Sequence, residues 1–377
     1  MPGITERRIF GLDLMRAIAI SLVLFSHAVL FLPRGNRLAG PGLLAGYFGV
    51  ELFFVLSGFL IGGILLRGFE NDSSAVGLRQ FWIRRWFRTL PNYLLFLGVN
   101  IAIGMWLGRN PSRLWPYFAF LQNLVAAPTS FFVESWSLAV EEWFYLLVPI
   151  AFFVGLRSAR RPLQSLSLSV IVTSILTVTI ARTMYVFVKD PIWLTDVRMI
   201  VPFRLDACMF GVLGAWLKRY LPQLWNRIPR SALAAGLLLL VFMTVVPFVS
   251  NPDSIFVRTI GFSVTSFGAL LLLPYLAGWQ SSMAPASTLI TKISLWSYSL
   301  YLVNLPLGTM LRRFTGGAQP WLVASVFAVL SIAMAALIFE IYERPMTNLR
   351  DRRPFEASRR VGRKATCAEP AVRTAAG

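Results

Sequence analysis

The sequence predicts an all-α integral membrane protein, a bundle of about ten transmembrane helices, and two observations lead to this class. The chain has 377 residues, of which 56% are hydrophobic and only 14% are charged, whereas a soluble domain carries about a quarter charged residues. The apolar residues also cluster in blocks of roughly 15 to 25, the length that a helix needs to cross a bilayer. Because lipid cannot hydrogen-bond to an open backbone, such blocks are expected to be helical.

Ten blocks of this kind are predicted to span the membrane. They run roughly over residues 12–32, 44–66, 90–107, 137–155, 166–188, 203–217, 232–249, 258–277, 293–312 and 320–340. The aromatic-rich stretch 114–127 is short and flanked by prolines, so we interpret it as an interfacial or re-entrant segment. Residues 1–345 are thus predicted to form one transmembrane domain, and residues 346–377 a basic, disordered cytoplasmic tail.

The formal charge of +19 raises the question of nucleic-acid binding. The basic residues do not form one stripe or arm. They lie between the apolar blocks, where positive charge orients spans relative to the membrane, and we therefore predict no nucleic-acid partner. With both termini in the cytoplasm, most basic residues fall on the cytoplasmic side. An eleventh span at 114–127 would instead place the arginines that follow residue 155 outside, which the positive-inside rule disfavours.

The first span carries two ionisable residues on one face. Arg16 and His27 are eleven positions apart, and eleven steps of about 100° return to within about 20° of the start. They are therefore separated by about 16 Å along the helix axis, and a cavity is expected on this face because charges inside a span are costly. Asp13 lies one turn before Arg16, at a spacing that allows the two side chains to pair. Taken alone, His27 is either a satisfied side chain near a helix end, the commoner case, or a general base.

Two further arginines precede the third span. Arg85 and Arg88 share a helical face at a spacing of three residues, so their guanidinium groups are able to hold phosphates bidentately. Arginines also flank spans simply to fix their topology. The spacing by itself does not separate these two interpretations.

Carboxylates also occur at membrane depth. Glu141 and Glu142 are adjacent at the start of the fourth span. Neighbours on a helix diverge by about 100°, so one is expected to face the cavity and the other to meet a cation or the headgroup region. Glu51, Arg204 and Asp206 are intramembrane as well, and each is open to a functional interpretation or to that of a structural ion pair.

The sequence lacks several common signatures of bound groups. We find no Walker-type glycine loop, no dinucleotide fingerprint and no Cys/His cluster. A single histidine also excludes the usual zinc-hydrolase sites. We therefore predict no metal site and no permanently bound cofactor, although a phosphate-rich cosubstrate is compatible with the arginines.

These segments together resemble the bacterial inner-membrane acyltransferase-3 family, which includes O-antigen, exopolysaccharide and Nod-factor acetylases. The similar motifs, in chain order, are Arg16 to His27, Gly49 to Gly58, Arg85-Trp-Phe-Arg88, Trp136 to Tyr145, Ser297 to Leu302 and Glu343-Arg-Pro345. Asn304 departs from the pattern, since many relatives carry histidine there, so a role for that histidine does not transfer. We recognise no appended periplasmic hydrolase-like domain, and the acceptor is then expected to reach the membrane domain directly or through another protein.

The resemblance implies a multi-pass O-acyltransferase of the bacterial inner membrane. It would move an acyl group, commonly acetyl, from cytoplasmic acyl-CoA (acetyl-CoA) as cosubstrate to a hydroxyl of a glycan or glycolipid such as lipopolysaccharide. In this scheme Arg85 and Arg88 bind the donor phosphates, Arg16 supports the donor chain and His27 deprotonates the acceptor. Glu141 and Glu142 complete the predicted catalytic set. Direct transfer and a covalent acyl-enzyme both remain open.

A transporter or flippase of a glycan or related solute is the alternative, because intramembrane charges also mark transport pathways. The absence of an internal repeat and of paired broken helices argues against it. A non-catalytic membrane scaffold is a third possibility. Neither the identity of the acceptor nor the oligomeric state is predicted from the sequence.

Overall fold

The computed structural model describes residues 8–33, 35–109, 113–128, 131–159, 161–251, 253–283 and 285–352, and in these ranges the chain is helical with no strand. The helices are α1 (Phe10–Val29), α2 (Ala39–Asn71), α3 (Ala75–Trp106), α4 (Trp115–Phe118), α5 (Ser135–Ala159), α6 (Leu163–Lys189), α7 (Leu205–Tyr220), α8 (Pro222–Arg227), α9 (Ser231–Ser250), α10 (Ile255–Arg258), α11 (Ile260–Gly278), α12 (Ser287–Phe314), α13 (Pro320–Ile338) and α14 (Arg344–Arg352). The prediction of an all-α bundle is confirmed for this part of the chain.

The predicted count of about ten spans is not confirmed. Each predicted segment overlaps a helix, but seven helices of the described chain are long and apolar enough to cross a membrane. They are Phe10–Val29, Ala39–Asn71, Ala75–Trp106, Ser135–Ser158, Leu163–Lys189, Ile260–Gly278 and Pro320–Leu349. Helix α7 has 16 residues, which gives about 24 Å against a hydrocarbon core of about 30 Å. Helix α12 carries serines and basic residues that reduce its mean hydropathy.

The stretch 114–127 forms no spanning helix. Its only helical turn is the four-residue α4, and the chain then turns through Phe120, which has a positive φ of 56°. The side chain of Asn123 donates to the carbonyl oxygens of Trp136 at 3.0 Å and Met199 at 2.7 Å. These bonds hold the stretch against the beginning of α5, at one end of the bundle.

Polar contacts near the ends of the helices define the two ends of the bundle. Arg219, at the end of α7, pairs with Glu70, at the end of α2, with 2.5 Å between nitrogen and oxygen. We call this the inner end. Arg312 of α12 donates to the carbonyl oxygen of Leu30, after α1, at 3.0 Å, and we call this the outer end. The predicted spans likewise place the ends of α2 and α7 on one side of the membrane and the ends of α1 and α12 on the other. The inner end is predicted to face the cytoplasm from the distribution of the basic residues alone.

Helices α2 and α7 pack through glycines. A Cβ on Gly58 would lie 2.8 Å from the carbonyl carbon of Cys208, and one on Gly211 would lie 2.6 Å from the backbone nitrogen of Phe59. Small residues of this kind let two helix backbones approach closely inside a membrane. The close approach places the N-terminal half of α7 directly beside the middle of α2.

We expect Gly58→Ala to destabilise the protein, because the added methyl group forces two backbones apart. Overpacking of this kind costs about 1–3 kcal/mol. Gly98→Ala is the matched control, since a Cβ there meets nothing within 4 Å. The thermal midpoint of the detergent-solubilised protein, followed by size-exclusion chromatography, should fall for Gly58→Ala and stay unchanged for Gly98→Ala. Equal midpoints for the two variants would contradict this packing.

The end of the described chain is more ordered than the sequence suggested. Residues 346–352 were assigned to a disordered tail, but they belong to α14, which packs against α3. A π-helical turn over Phe339–Glu343 joins α13 to α14, and Glu343 anchors it by accepting hydrogen bonds from Asn92 at 2.9 Å and Ser299 at 2.6 Å. The remainder of the predicted tail, 353–377, lies outside the described residues.

Candidate active site

Helices α1 and α3 place three of the predicted site residues within electrostatic range of one another towards the inner end. The charges of Arg85 and Arg16 both act on Arg88, and the charge of Arg85 acts on Arg16. We call Arg16, Arg85 and Arg88 the inner arginine cluster. The sequence placed Arg85 and Arg88 before the third span. In the structure α3 continues through both of them, which keeps them on one helix face.

Arg85 is the anchored member of this cluster. Its guanidinium lies over the ring of Tyr145, 4.1 Å from the ring centroid, and donates a hydrogen bond to the phenol oxygen. The nearest Glu141 oxygen is 3.8 Å from Arg85 Nη2. The Nε of Arg85 is buried and has no acceptor among the described residues. Arg85 is therefore fixed in position with one donor unused.

The other two members have no partner of their own. Arg16 is half-buried and Arg88 is exposed, and neither makes a hydrogen bond or an ion pair within the described ranges. Carboxylates act on them only from a distance, Asp13 and Glu141 on Arg16 and Glu343 on Arg88. Two unpaired guanidinium groups beside a third therefore form a site suited to a multiply charged anion.

Asp13 forms no ion pair with Arg16, although its charge acts on that arginine. Asp13 instead accepts two hydrogen bonds from Arg8, at 2.9 and 2.5 Å, and one from Ser294 at 2.8 Å. Arg8 precedes α1, so its planar guanidinium can meet the carboxylate bidentately, which a neighbour within the helix cannot do as well. This arrangement leaves the charge of Arg16 available.

The adjacent carboxylates Glu141 and Glu142 diverge as predicted. Glu141 accepts hydrogen bonds from Ser57 at 2.7 Å and Tyr145 at 2.9 Å, and it lies on the side of Arg85. Glu142 is buried and accepts a hydrogen bond from Thr89 at 2.7 Å. Both carboxylates thus hold α5 against its neighbours, and Glu141 also orients the tyrosine that fixes Arg85.

His27 lies in the last turn of α1, at the outer end. It is half-buried, and its Nδ1 is buried with no partner among the described residues. The interpretation of a satisfied helix-end side chain is therefore not supported. Because α1 is one uninterrupted helix, the predicted separation from Arg16 of about 16 Å along its axis holds.

Two polar residues that were not singled out from the sequence, Ser137 and Tyr301, lie between the two ends together with Asn304. Tyr301 of α12 is 2.6 Å from Ser137 of α5 and donates to the carbonyl oxygen of Glu134 at 3.0 Å. Asn304 is completely buried, and neither end of its amide has a partner in the described chain. Ser137 and Tyr301 lie within two of the motifs quoted above, and this was the only feature of the sequence that pointed to them. No local pattern marks Arg198, whose charge acts on His27.

Two other pairs of charged side chains form buried ion pairs. Glu51 of α2 pairs with Arg204 and also accepts from Ser266 at 3.1 Å. Asp206 pairs with Arg182 of α6, with 2.9 Å between nitrogen and oxygen. All four charged side chains are buried. For Glu51, Arg204 and Asp206 the structure therefore favours the interpretation of structural ion pairs.

Two cavities open at the inner end. One of about 600 Å³ is bounded by Lys218, Trp225 and Arg230, and none of the predicted site residues lines it. The other, of about 340 Å³, is lined by Arg8 and Asp13 among others, one helical turn before Arg16, and it too is lined by none of the predicted site residues. The second cavity therefore opens beside the N-terminal end of the face of α1 that carries Arg16.

Two curated relatives match most of this chain, and a third matches nearly half of it. The peptidoglycan O-acetyltransferase OatA of Listeria monocytogenes is 27% identical over 363 residues, which are 89% of this chain and 55% of that protein. A putative O-acetyltransferase of Staphylococcus aureus is 25% identical over 90% of this chain and 57% of its own length. The putative peptidoglycan O-acetyltransferase YrhL of Bacillus subtilis is 30% identical over 45% of this chain and 28% of its own length. The chain thus spans about half the length of the first two relatives.

A family model described as an acyltransferase domain matches residues 9–340. The match contains the inner arginine cluster, both carboxylates of α5 and His27, and it agrees with the resemblance that the motifs suggested. No solved structure matches the sequence. Since the model covers nearly the whole helical region, the chain belongs to the acyltransferase-3 family of membrane acyltransferase domains.

Proposed function

We propose that this protein transfers an acyl group, acetyl in particular, from a cytoplasmic acyl-CoA to a hydroxyl of a glycan or glycolipid. It would act as a multi-pass protein of the bacterial inner membrane, with the acyl-CoA as cosubstrate and no permanently bound cofactor. Family membership supports acyl transfer. The names of the relatives support acetyl as the group and, in two cases, peptidoglycan as the kind of acceptor.

The observation that carries the proposal is the unpaired charge of the inner arginine cluster. An acyl-CoA brings several phosphate oxygens, and guanidinium groups bind phosphates bidentately. Arg85 is already oriented by Tyr145, whereas Arg16 and Arg88 have no protein partner in the described chain. The phosphates would therefore satisfy donors that the protein itself leaves unused.

The geometry of α1 supports the second half of the reaction. From phosphates held near Arg16, the acyl arm of the donor would extend along the same helix face towards His27, about 16 Å away. There the imidazole would take the proton of the acceptor hydroxyl as its oxygen attacks the thioester carbonyl carbon. The thioester C–S bond then breaks, and the CoA thiolate leaves with that proton. A transient acyl-enzyme is the variant of this route.

Donor binding tests the assignment of the arginines. We expect Arg85→Ala combined with Arg88→Ala to weaken acetyl-CoA binding by about 100-fold or more, since each charge-assisted hydrogen bond contributes about 1.5–3 kcal/mol. Binding of radiolabelled acetyl-CoA to the purified full chain in detergent gives the dissociation constant. Arg79→Ala removes an exposed charge from the same end of α3 and serves as the control. Equal affinity in the double variant and the control would reject the site.

Product formation separates acyl transfer from transport. Purified protein is incubated with labelled acetyl-CoA and a chito-oligosaccharide, and the sugar is analysed by mass spectrometry. An acetylated sugar together with free CoA thiol is the expected result. A transporter or flippase would move a solute across a vesicle membrane and leave both substrates chemically unchanged.

A further inference from the structure

Arg198 is a buried arginine at the outer end of the bundle. It lies in the irregular connection between α6 and α7, with 7% of its surface exposed. One nitrogen, Nη2, donates to the carbonyl oxygen of Gly46 at 3.2 Å. Three aromatic rings surround the guanidinium, with centroids 5.2 Å away for Trp136, 5.6 Å for Tyr47 and 5.9 Å for Trp193. The aromatic rings stabilise the cation but supply no anion.

The neighbouring buried charges leave Arg198 without a counterion. Arg204 is paired with Glu51, and Arg182 is paired with Asp206. The charge of Glu51 also acts on Arg198, but that carboxylate is already bound to Arg204. Arg198 itself forms no ion pair within the described part of the chain. An uncompensated buried charge is strongly unfavourable, so the surroundings of Arg198 are suited to receive an anion.

Unused hydrogen-bond donors point to the same conclusion. Arg198 Nε and the indole Nε1 of Trp193 are both buried, and neither has an acceptor among the described residues. Buried donors are nearly always satisfied in proteins, and each unsatisfied group costs about 1–3 kcal/mol. The two donors belong to neighbouring side chains, with the guanidinium carbon 5.9 Å from the indole centroid, and neither donor has an acceptor oxygen among the described residues.

The position of His27 indicates the reaction step in which a hydrogen-bond-accepting oxygen would form at this site. The carbonyl oxygen of Gly46 accepts a hydrogen bond from Arg198, and a Cβ on Gly46 would lie 2.5 Å from Oγ of Ser26, the residue before His27. The positive charge of Arg198 therefore acts on His27. When an imidazole takes a proton it becomes a second cation, and two cations repel each other. The arrangement becomes favourable if a negative charge forms nearby at the same moment. Attack of a hydroxyl on an acyl carbonyl produces such a charge on the carbonyl oxygen.

We propose that Arg198 and the indole N–H of Trp193 form the oxyanion site of the acyl-transfer reaction. This inference rests on the proposed function. As the acceptor oxygen bonds to the acyl carbon, the hydroxyl proton passes to His27 and the carbonyl electron pair moves to its oxygen. That oxyanion accepts hydrogen bonds from Arg198 and from the indole N–H of Trp193. The C=O bond then re-forms, the C–S bond breaks, and the CoA thiolate takes up the proton from His27.

Steady-state kinetics with acetyl-CoA and a chito-oligosaccharide give the first test. Arg198→Gln should lower kcat by about 10²–10³-fold, the effect of removing an oxyanion donor, and leave both KM values within about threefold. Arg198→Lys, which keeps the charge, should recover part of kcat. Arg37→Gln removes an exposed charge at the same end and should match the wild type. A higher KM for the sugar with an unchanged kcat would overturn the proposal.

Iodide quenching gives a second test that does not depend on turnover. An anion site between Trp136 and Trp193 should show saturable quenching of tryptophan fluorescence by iodide, reversed by acetate. We expect this component in the wild type and Arg37→Gln, and its loss in Arg198→Gln. Quenching by neutral acrylamide should be equal in all three, which controls for folding. Identical iodide quenching in Arg198→Gln would overturn the site, even if the wild type proved unable to transfer acetyl groups.

Discussion

His27→Ala is expected to reduce acyl transfer by about 10²–10⁴-fold, the usual contribution of a general base. The described part of the chain offers no other imidazole, because His27 is the only histidine in the sequence. Its Nδ1 makes no hydrogen bond that alanine would remove, so the loss should concern the chemical step and not the fold. The measurement is the initial rate of acetylation of a chito-oligosaccharide by purified protein.

Two controls make this result specific to the imidazole. Ser21→Ala changes an exposed position of the same helix and should keep the wild-type rate. Acetyl-CoA should bind His27→Ala with the wild-type dissociation constant, since the proposed phosphate site lies about 16 Å away along α1. A wild-type rate in His27→Ala at matched expression would remove His27 from the mechanism.

Arg204→Met is expected to be among the most destabilising single substitutions in the bundle. It leaves the carboxylate of Glu51 buried without its cation, and removal of one partner from a buried pair costs about 3–5 kcal/mol. The pair is completely enclosed, with 0% and 1% of the two side chains exposed. The thermal midpoint in detergent should therefore fall sharply.

The exposed pair at the inner end is the matched control. Arg219 and Glu70 are also joined side chain to side chain, but 49% and 25% of their surfaces are exposed. Pairs of this kind contribute about 0–1 kcal/mol, so Arg219→Met should scarcely change the midpoint. Combining Arg204→Met with Glu51→Met should restore much of the lost stability, because neither member of the pair is then left buried without the other. A double variant as unstable as Arg204→Met would contradict this explanation.

The sequence was most informative about helices and their order. Blocks of apolar residues of spanning length predict helices because no other backbone arrangement of a single segment satisfies its hydrogen bonds in lipid. The same reasoning placed α7 correctly, since the predicted segment 203–217 and the helix Leu205–Tyr220 nearly coincide, but it did not show that α7 packs against α2 through Gly211. Length in a sequence does not report how closely two helices approach.

Helical periodicity also located part of the candidate site. It placed Arg16 and His27 on one face of α1 and separated Glu141 from Glu142, since these depend only on positions within one helix. It did not identify the partner of Asp13, because Arg8 lies outside the helix. It was silent about Arg198, because that residue acquires its neighbours through an irregular connection. Contacts between distant segments are fixed by tertiary packing and leave no local pattern.

The most direct test of the account is acyl transfer across a bilayer. In the proposed mechanism the donor phosphates bind at the inner end of α1 and the base lies at the outer end of the same helix. Purified protein is reconstituted into vesicles that enclose a chito-oligosaccharide, and labelled acetyl-CoA, which does not cross the membrane, is added outside. We expect acetylated sugar inside the vesicles and CoA thiol outside. Vesicles that contain His27→Ala should show no acetylated sugar. Acetylation that occurs only when donor and sugar share one compartment would contradict the proposed mechanism.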